Sequence, residues 1–174
     1  GFESLSGFGE SFKSIFGVSP KNGKLQRIID LKRIETPLGT MLACATEEGI
    51  CLLEFTDRKM LETELKSIAK LLNASIIQGR NKHFDALEIE LQAYFDGKRK
   101  EFSVPLHTLG TEFQNKVWTA LRHIPYGQIK SYKAQAIAIG SPESIRAVAN
   151  ANGMNRISIL IPCHRVIGSD GQLT

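Results

Sequence analysis

Residues 157–167 read Ile157-Ser158-Ile159-Leu160-Ile161-Pro162-Cys163-His164-Arg165-Val166-Ile167. The apolar run Ile157 to Ile161 is expected to form a buried strand that leads directly into Pro162. A cysteine placed after such a strand is ordinarily inert packing, because apolar surroundings keep the thiol protonated. The neighbours of Cys163 supply a reason for the opposite. Pro162 fixes the backbone ahead of it, while His164 and Arg165 bring a base and a cation close in sequence, and both favour the thiolate that attacks carbon. Successive residues on a strand point to opposite faces, so His164 can act on Cys163 only across a turn or through a water. From these residues alone, the reactive and the inert cysteine both stand.

Upstream, Phe113, Val117, Ala120, Leu121 and Ile124 mark one face of an amphipathic helix, which Pro125-Tyr126-Gly127 ends. Ser131 is placed to cap a second short helix, about Tyr132 to Ile139, closed by Gly140. Ser141-Pro142-Glu143 reads as a further start: serine at the cap, proline at the first helical position, an acid in the first turn. That third helix, Glu143 to about Asn152, should turn Ile145, Val148 and Ala149 inward and Arg146, Ala147 and Asn150 outward. The whole net charge of +4 lies within residues 105–174. Helix, short turn and helix on a basic segment suit a helix-turn-helix facing a polyanion, and equally a solvated basic surface.

Residues 1–104 are balanced in charge. Ile28–Glu35, Met41–Ala45 and Ile50–Phe55 read as three antiparallel strands joined by Thr36-Pro37-Leu38-Gly39 and Glu47-Glu48-Gly49, both turn chemistries. Lys59–Leu72 has helical spacing at Met60, Leu61, Leu65 and Ile68. A short strand at Ser75–Gln78 follows, then a helix through Phe84, Leu87, Leu91, Tyr94 and Phe95 that stops before Gly97. Cys44 and Cys51 are expected to pack as small hydrophobes, and with His83 they lack any metal-ligand spacing. Three cysteines make an odd number, which speaks against a disulfide framework and for a reducing compartment. Within residues 1–24, Phe8, Phe12, Ile15 and Phe16 mark one face of a short helix, stopped by Gly17 and Pro20. At 174 residues, 42% hydrophobic and 23% charged, the chain has the composition of a globular protein rather than a disordered one. No apolar run approaches the roughly 20 residues that span a bilayer, and no secretory leader follows from Gly1-Phe2-Glu3.

Ile159 through Ile167 resembles the active-site signature of the O6-alkylguanine-DNA alkyltransferases, the methylated-DNA–protein-cysteine methyltransferases. The likeness extends through Phe113, Val117-Trp118, Leu121, Ile124-Pro125-Tyr126-Gly127, Ser131-Tyr132, Arg146-Ala147-Val148 and Asn155. It is strong from Pro105 onward and weaker before. It implies an α+β chain: a small ribonuclease-H-like N-terminal lobe of antiparallel strands plus helices (25–104), then a winged helix-turn-helix lobe carrying the active site (105–174). It further implies DNA repair in which a base is everted from the duplex and its O6-alkyl group passes irreversibly to Cys163, with O4-methylthymine as a further substrate. By the same resemblance, His164 is the water-bridged base and Asn155 braces the turn that holds the pair. Arg146 fills the gap left by the everted base, and Tyr132 crowds a phosphate and then bonds the base at N3. Ser131 and Ala147 also contact DNA, and the Val166 carbonyl selects guanine. Ala147, Ala149, Ala151 and Gly153 make a thin helix suited to a minor groove. The implied partner is double-stranded DNA, met by a cytoplasmic, nucleoid-associated monomer away from any membrane. No dissociable cofactor or metal is implied, because the protein is itself the consumed reagent.

The first twenty or so residues resemble the closing helix of an AraC-type helix-turn-helix module, so 1–24 is read as a remnant of one. Together the two likenesses resemble bacterial adaptive-response regulators, which implies a part in transcriptional control. The alkyltransferase pattern continues past Gly171-Gln172-Leu173-Thr174 into a Tyr/Gly loop and a helix bearing a glutamate that orients the histidine. The 174-residue chain is accordingly expected to transfer alkyl groups more slowly than one carrying that helix. Asn155-Arg156 departs from the Asn-Pro common in the family. The alternatives are a non-enzymatic DNA-lesion-binding or regulatory protein, against which Cys163 argues, and a thiol hydrolase, for which no separate orienting Asn or Asp and no acyl pocket is evident.

Overall fold

The computed structural model describes residues 27–168, which divide into two compact units between His107 and Thr108. The helix expected across Phe8–Phe16 lies outside the described residues. In the first unit, β1 (Arg27–Thr36), β2 (Gly39–Ala45) and β3 (Ile50–Phe55) form the expected antiparallel meander. Its first turn is locally encoded. Thr36 Oγ1 donates to the Gly39 carbonyl at 2.6 Å, and Gly39 adopts φ 130°, a conformation that favours glycine. At the second turn, a Cβ on Gly49 would lie 2.4 Å from the Pro105 carbonyl oxygen, because the segment after Val104 runs along β3 there. Two backbone bonds hold it, Ile50 N to Pro105 O at 2.9 Å and His107 N to Ile50 O at 2.8 Å.

Helix α1 (Leu61–Leu72), strand β4 (Ala74–Gln78) and helix α2 (Lys82–Phe95) complete the unit. The sheet order is β3-β2-β1-β4, with β4 parallel to β1, a pairing that local periodicity does not reveal. Ile29, Leu31, Leu42 and Leu52 of the sheet, Leu65 and Ile68 of α1, and Phe84 and Leu87 of α2 are buried together with Cys44 and Cys51. Burial of this apolar surface, at about 25 cal/mol per Å², is the main force holding the unit. His83 is also buried, and its Nε2 donates to the Glu47 carbonyl at 2.9 Å. Among the described residues no group of three His, Cys, Asp or Glu is placed to hold a metal.

The second unit contains α3 (Glu112–Arg122), β5 (Lys130–Ser131), α4 (Tyr132–Ala138), α5 (Ile145–Gly153), a 3₁₀ turn (Cys163–Arg165) and β6 (Val166–Ile167). A reciprocal box starts α3: Gln114 N donates to Thr111 Oγ1 and Thr111 N to Gln114 Oε1. Ser131 caps α4 as expected, its Oγ accepting from Ala134 N at 3.0 Å. The third helix begins later than expected, at Ile145 rather than Glu143. The backbone of Ser141 is already engaged in closing α4 around Gly140 (φ 80°), through Ser141 N to Ala136 O at 2.9 Å. Ser141 to Ser144 forms a turn instead, closed by Ser144 N to Ser141 O at 2.9 Å, where Pro142 fits as well as it would at a helix start. Ile145, expected inward, is 40% exposed. As the first residue of α5 it points back past the end of the helix, and the buried stripe begins at Val148 and continues at Ala151 and Asn152.

Candidate active site

The segment Asn155–Ile161 is not the expected strand. It is a compact turn, with Leu160 N bonded to Ser158 O at 2.8 Å and Ile161 N to Ile157 O at 3.0 Å. Ile157, Leu160 and Ile161 are buried as a strand would bury them, and a short apolar run cannot distinguish the two outcomes by period. What selects the turn is Asn155, 2% exposed. Its Oδ1 accepts from Ile157 N at 2.9 Å and its Nδ2 donates to Ile161 O at 2.8 Å, replacing the ladder bonds a strand would need. The turn is strained: Ile159 sits at φ 73°, a rare conformation for a β-branched residue that costs about 1–3 kcal/mol.

The same turn holds the cysteine. The Ile161 carbonyl that accepts from Asn155 also accepts from Cys163 N, at 2.9 Å. Cys163 is half-buried, whereas Cys44 and Cys51 are fully buried. Burial pushes the Cys44 thiol well above its ordinary value, with Cys51 adding to the effect, so neither strand cysteine is a competing nucleophile. Cys163 and His164 are consecutive on the 3₁₀ turn, where three residues per turn separate their side chains by about 120°. They share no direct hydrogen bond among the described residues. Partial burial of His164, and secondarily the neighbouring Arg165 guanidinium, hold its pKa below the ordinary 6.5, so the imidazole is neutral near pH 7.

Three further contacts set the frame around this turn. Gln135 and Asn152, both buried, exchange amide bonds of 3.1 and 2.9 Å that join α4 to α5. Trp118 on α3 donates from Nε1 to the Ala151 carbonyl at 2.9 Å. Arg156 is buried and its guanidinium donates to the Leu109 carbonyl, so the departure from Asn-Pro leaves a tethered turn rather than a loose one. Sequence reasoning missed Gln135 and Asn152. The available signal was a polar residue at the inward spacing of each helix.

Of the expected DNA contacts, Arg146 and Ala147 are exposed on the first turn of α5, and Arg146 has no ion pair among the described residues. Asn150 and Gly153 are exposed on the same helix, and nothing lies within 4 Å of a Cβ placed on Gly153. Tyr132 is 8% exposed and begins α4 directly after Ser131. Val166 is buried in β6, and the parallel pairs Lys130 with Val166 and Ser131 with Ile167 bring the start of α4 beside the cysteine turn. Asn155, Cys163 and Val166 are thus connected through backbone bonds to Ser131 and Tyr132. No hydrogen bond links Arg146 or Ala147 to that group among the described residues.

A family model described as 6-O-methylguanine DNA methyltransferase, DNA binding domain, matches residues 112–174, and one described as its ribonuclease-like domain matches residues 32–108. The methylated-DNA–protein-cysteine methyltransferase of Methanosarcina barkeri is 44% identical over 142 residues, 81% of this chain and 84% of that protein. The chain belongs to this family. Among its methyltransferase relatives, the constitutive protein of Bacillus subtilis is 41% identical over 147 residues, 80% of this chain and 81% of its own length. The crystal structure of the Mycobacterium tuberculosis O6-methylguanine methyltransferase superposes with a TM-score of 0.69 at 36% identity, covering 84% of this chain and 82% of that one. A structure of the M. tuberculosis protein in complex with DNA matches with the same TM-score of 0.69. The methyltransferase fold, a mixed sheet unit and a helical unit, is therefore shared.

Proposed function

We propose that this protein repairs alkylated DNA by moving the alkyl group from O6 of guanine onto its own Cys163, once per molecule. The observation that carries this reading is a half-buried cysteine on a braced, strained turn, one residue from a neutral histidine, in a family whose members bear this activity in their names. His164 takes the thiol proton through a bridging water, as the divergent side chains on the 3₁₀ turn require. The Cys163 sulfur then attacks the alkyl carbon, a C–S bond forms, the C–O6 bond breaks, and the displaced guanine regains a proton. The thioether has no further route back to a thiol, so the protein is consumed. A substrate that is chromosomal DNA puts the protein, on this reading, in the cytoplasm; separately, among the described residues no helix is long and apolar enough to cross a membrane.

Duplex DNA carrying a labelled O6-methylguanine tests the reading. One label per protein on Cys163 by peptide mass mapping is the expected result. Tight binding with no label would make it a lesion binder, and repeated turnover would make it a thiol hydrolase. Because His164 is held below 6.5, the rate should stay high as pH falls to that value and decline only as the imidazole gains its proton. A decline centred above 6.5 would contradict a neutral base at this position.

Arg146, exposed on the first turn of α5, is the residue we assign to the space an everted base leaves, offsetting an unstacking cost of about a few kcal/mol. Arg146→Ala should slow transfer from duplex DNA by about 10- to 100-fold while leaving reaction with a free O6-alkylguanine base unchanged. Equal losses on both substrates would remove that role.

A further inference from the structure

Arg165 follows His164 on the 3₁₀ turn, and its side chain does not extend into solvent as a phosphate contact would. Nη1 donates to the Ile124 carbonyl at 2.7 Å, and the guanidinium carbon lies 5.6 Å from the centre of the Tyr126 ring. Ile124 belongs to the wrapped end of α3, where Ile124 N bonds Leu121 O at 3.1 Å and His123 N bonds Ala120 O at 3.1 Å. A cation is favoured at such a carbonyl-rich helix end. Pro125 to Gln128 then reverses the chain, through Gln128 N to Pro125 O at 3.1 Å, and delivers it to Lys130 and Ser131. There the pairing with Val166 and Ile167 joins the two segments a second time.

The result is a closed frame. Residues 124–131 and 163–167 are joined at one end by Arg165 and at the other by the β5–β6 pair. We propose that Arg165 is a positioning residue for the transfer reaction: its grip on Ile124 and Tyr126 sets the cysteine turn at a fixed separation from the start of α4, which carries Ser131 and Tyr132. The planar guanidinium does two things at once, a directed hydrogen bond and a cation–π contact with an aromatic face, which the compact ammonium of a lysine reproduces poorly together. Its charge also acts on His164, and among the described residues it is the charged group that does so. With its guanidinium engaged by Ile124 and Tyr126, Arg165 acts through Cys163 and His164. The inference rests on the alkyl-transfer reading above.

The experiment compares wild type, Arg165→Lys, Arg165→Met and Tyr126→Leu in the full-length protein. It reads single-turnover alkylation of Cys163 by O6-methylguanine duplex and by a free O6-alkylguanine base, together with half-saturating DNA concentration, pH profile and Tm. Arg165→Met is expected to slow the saturated rate by about tenfold or more on both substrates, the size of a displaced reacting group, with the half-saturating DNA concentration unchanged. Its acid limb should move to higher pH, because removing the neighbouring charge lets His164 gain its proton more readily. Arg165→Lys should keep the wild-type acid limb but not the full rate, and Tyr126→Leu should lose rate with the limb unmoved. Should Arg165→Met fail to fold, the lysine variant and Tyr126→Leu decide the matter by the same readouts. Unchanged rates and limb would overturn the proposal, as would a loss confined to DNA affinity, which would make Arg165 a phosphate contact, or a rate loss that only follows Tm. If wild-type Cys163 takes up no alkyl group, the functional reading falls and this one with it. If wild type is alkylated and the variants match it, this one alone falls.

Discussion

Cys163→Ser takes up no label from O6-methylguanine DNA and slows transfer by about 10⁴-fold or more, the scale seen when a nucleophile is removed from an intact site. A serine hydroxyl is a far weaker nucleophile than a thiolate at neutral pH, and the lowered pKa of His164 makes it too weak a base to ionise one. The thiol of Cys163 is half-buried and has no hydrogen-bond partner among the described residues, so the substitution leaves the turn and its bonds in place. Tm should change by less than about 2 °C, as expected for a swap that leaves no buried group unpaired. Binding to the lesion duplex should persist, which makes the variant the control that separates recognition from chemistry. Peptide mapping checks the assignment. Label on Cys44 or Cys51 in the serine variant would move the acceptor to a strand cysteine, against the burial that keeps both protonated.

Asn155→Ala should lower the saturated transfer rate by about 100-fold and cost about 2–4 kcal/mol of stability. The two bonds it removes leave the Ile157 N–H and one acceptor site of the Ile161 carbonyl unpaired in a buried turn. The loss reaches Cys163 directly, because the Ile161 carbonyl also holds the Cys163 N–H. It also removes the constraint that keeps Ile159 at φ 73°, so the turn is free to relax away from the geometry that aims the sulfur. Asn155→Asp separates the two effects. It keeps the acceptor for Ile157 N but sets a carboxylate oxygen against the Ile161 carbonyl, and should be at least as slow as alanine. Single-turnover rates and thermal melts on both variants provide the check, and a wild-type rate in either would mean that the turn holds its shape without this side chain.

How far the site could be read before folding differs from residue to residue. Ser131 and Gly140 bracket α4 through bonds made within a few residues, and both act where local chemistry places them. The three N-terminal strands likewise follow from turn chemistry and apolar runs. Cys163 and His164 were visible as a candidate pair, but the geometry between them was not. The run Ile157–Ile161 reads as a strand to any local rule, and only the amide of Asn155, folded back across the segment, converts it to a turn. Ser141-Pro142-Glu143 carries a good helix-start pattern, but the chain makes a single turn there, with Ser144 N bonded to Ser141 O at 2.9 Å, and the helix opens at Ile145.

The amino-acid sequence determined by itself most of the element order, the Ser131 cap and the apolar faces, because these depend on side-chain chemistry acting within about one turn of the chain. The tertiary structure alone decided the pairing of β4 with β1, the Gln135–Asn152 bridge, the reach of Arg165 to Ile124 and of Arg156 to Leu109. Those contacts join residues separated by 17 to 47 positions, and their geometry exists only after the apolar faces have packed. A hydrogen bond is worth forming there because packing has removed the water that would otherwise satisfy each group.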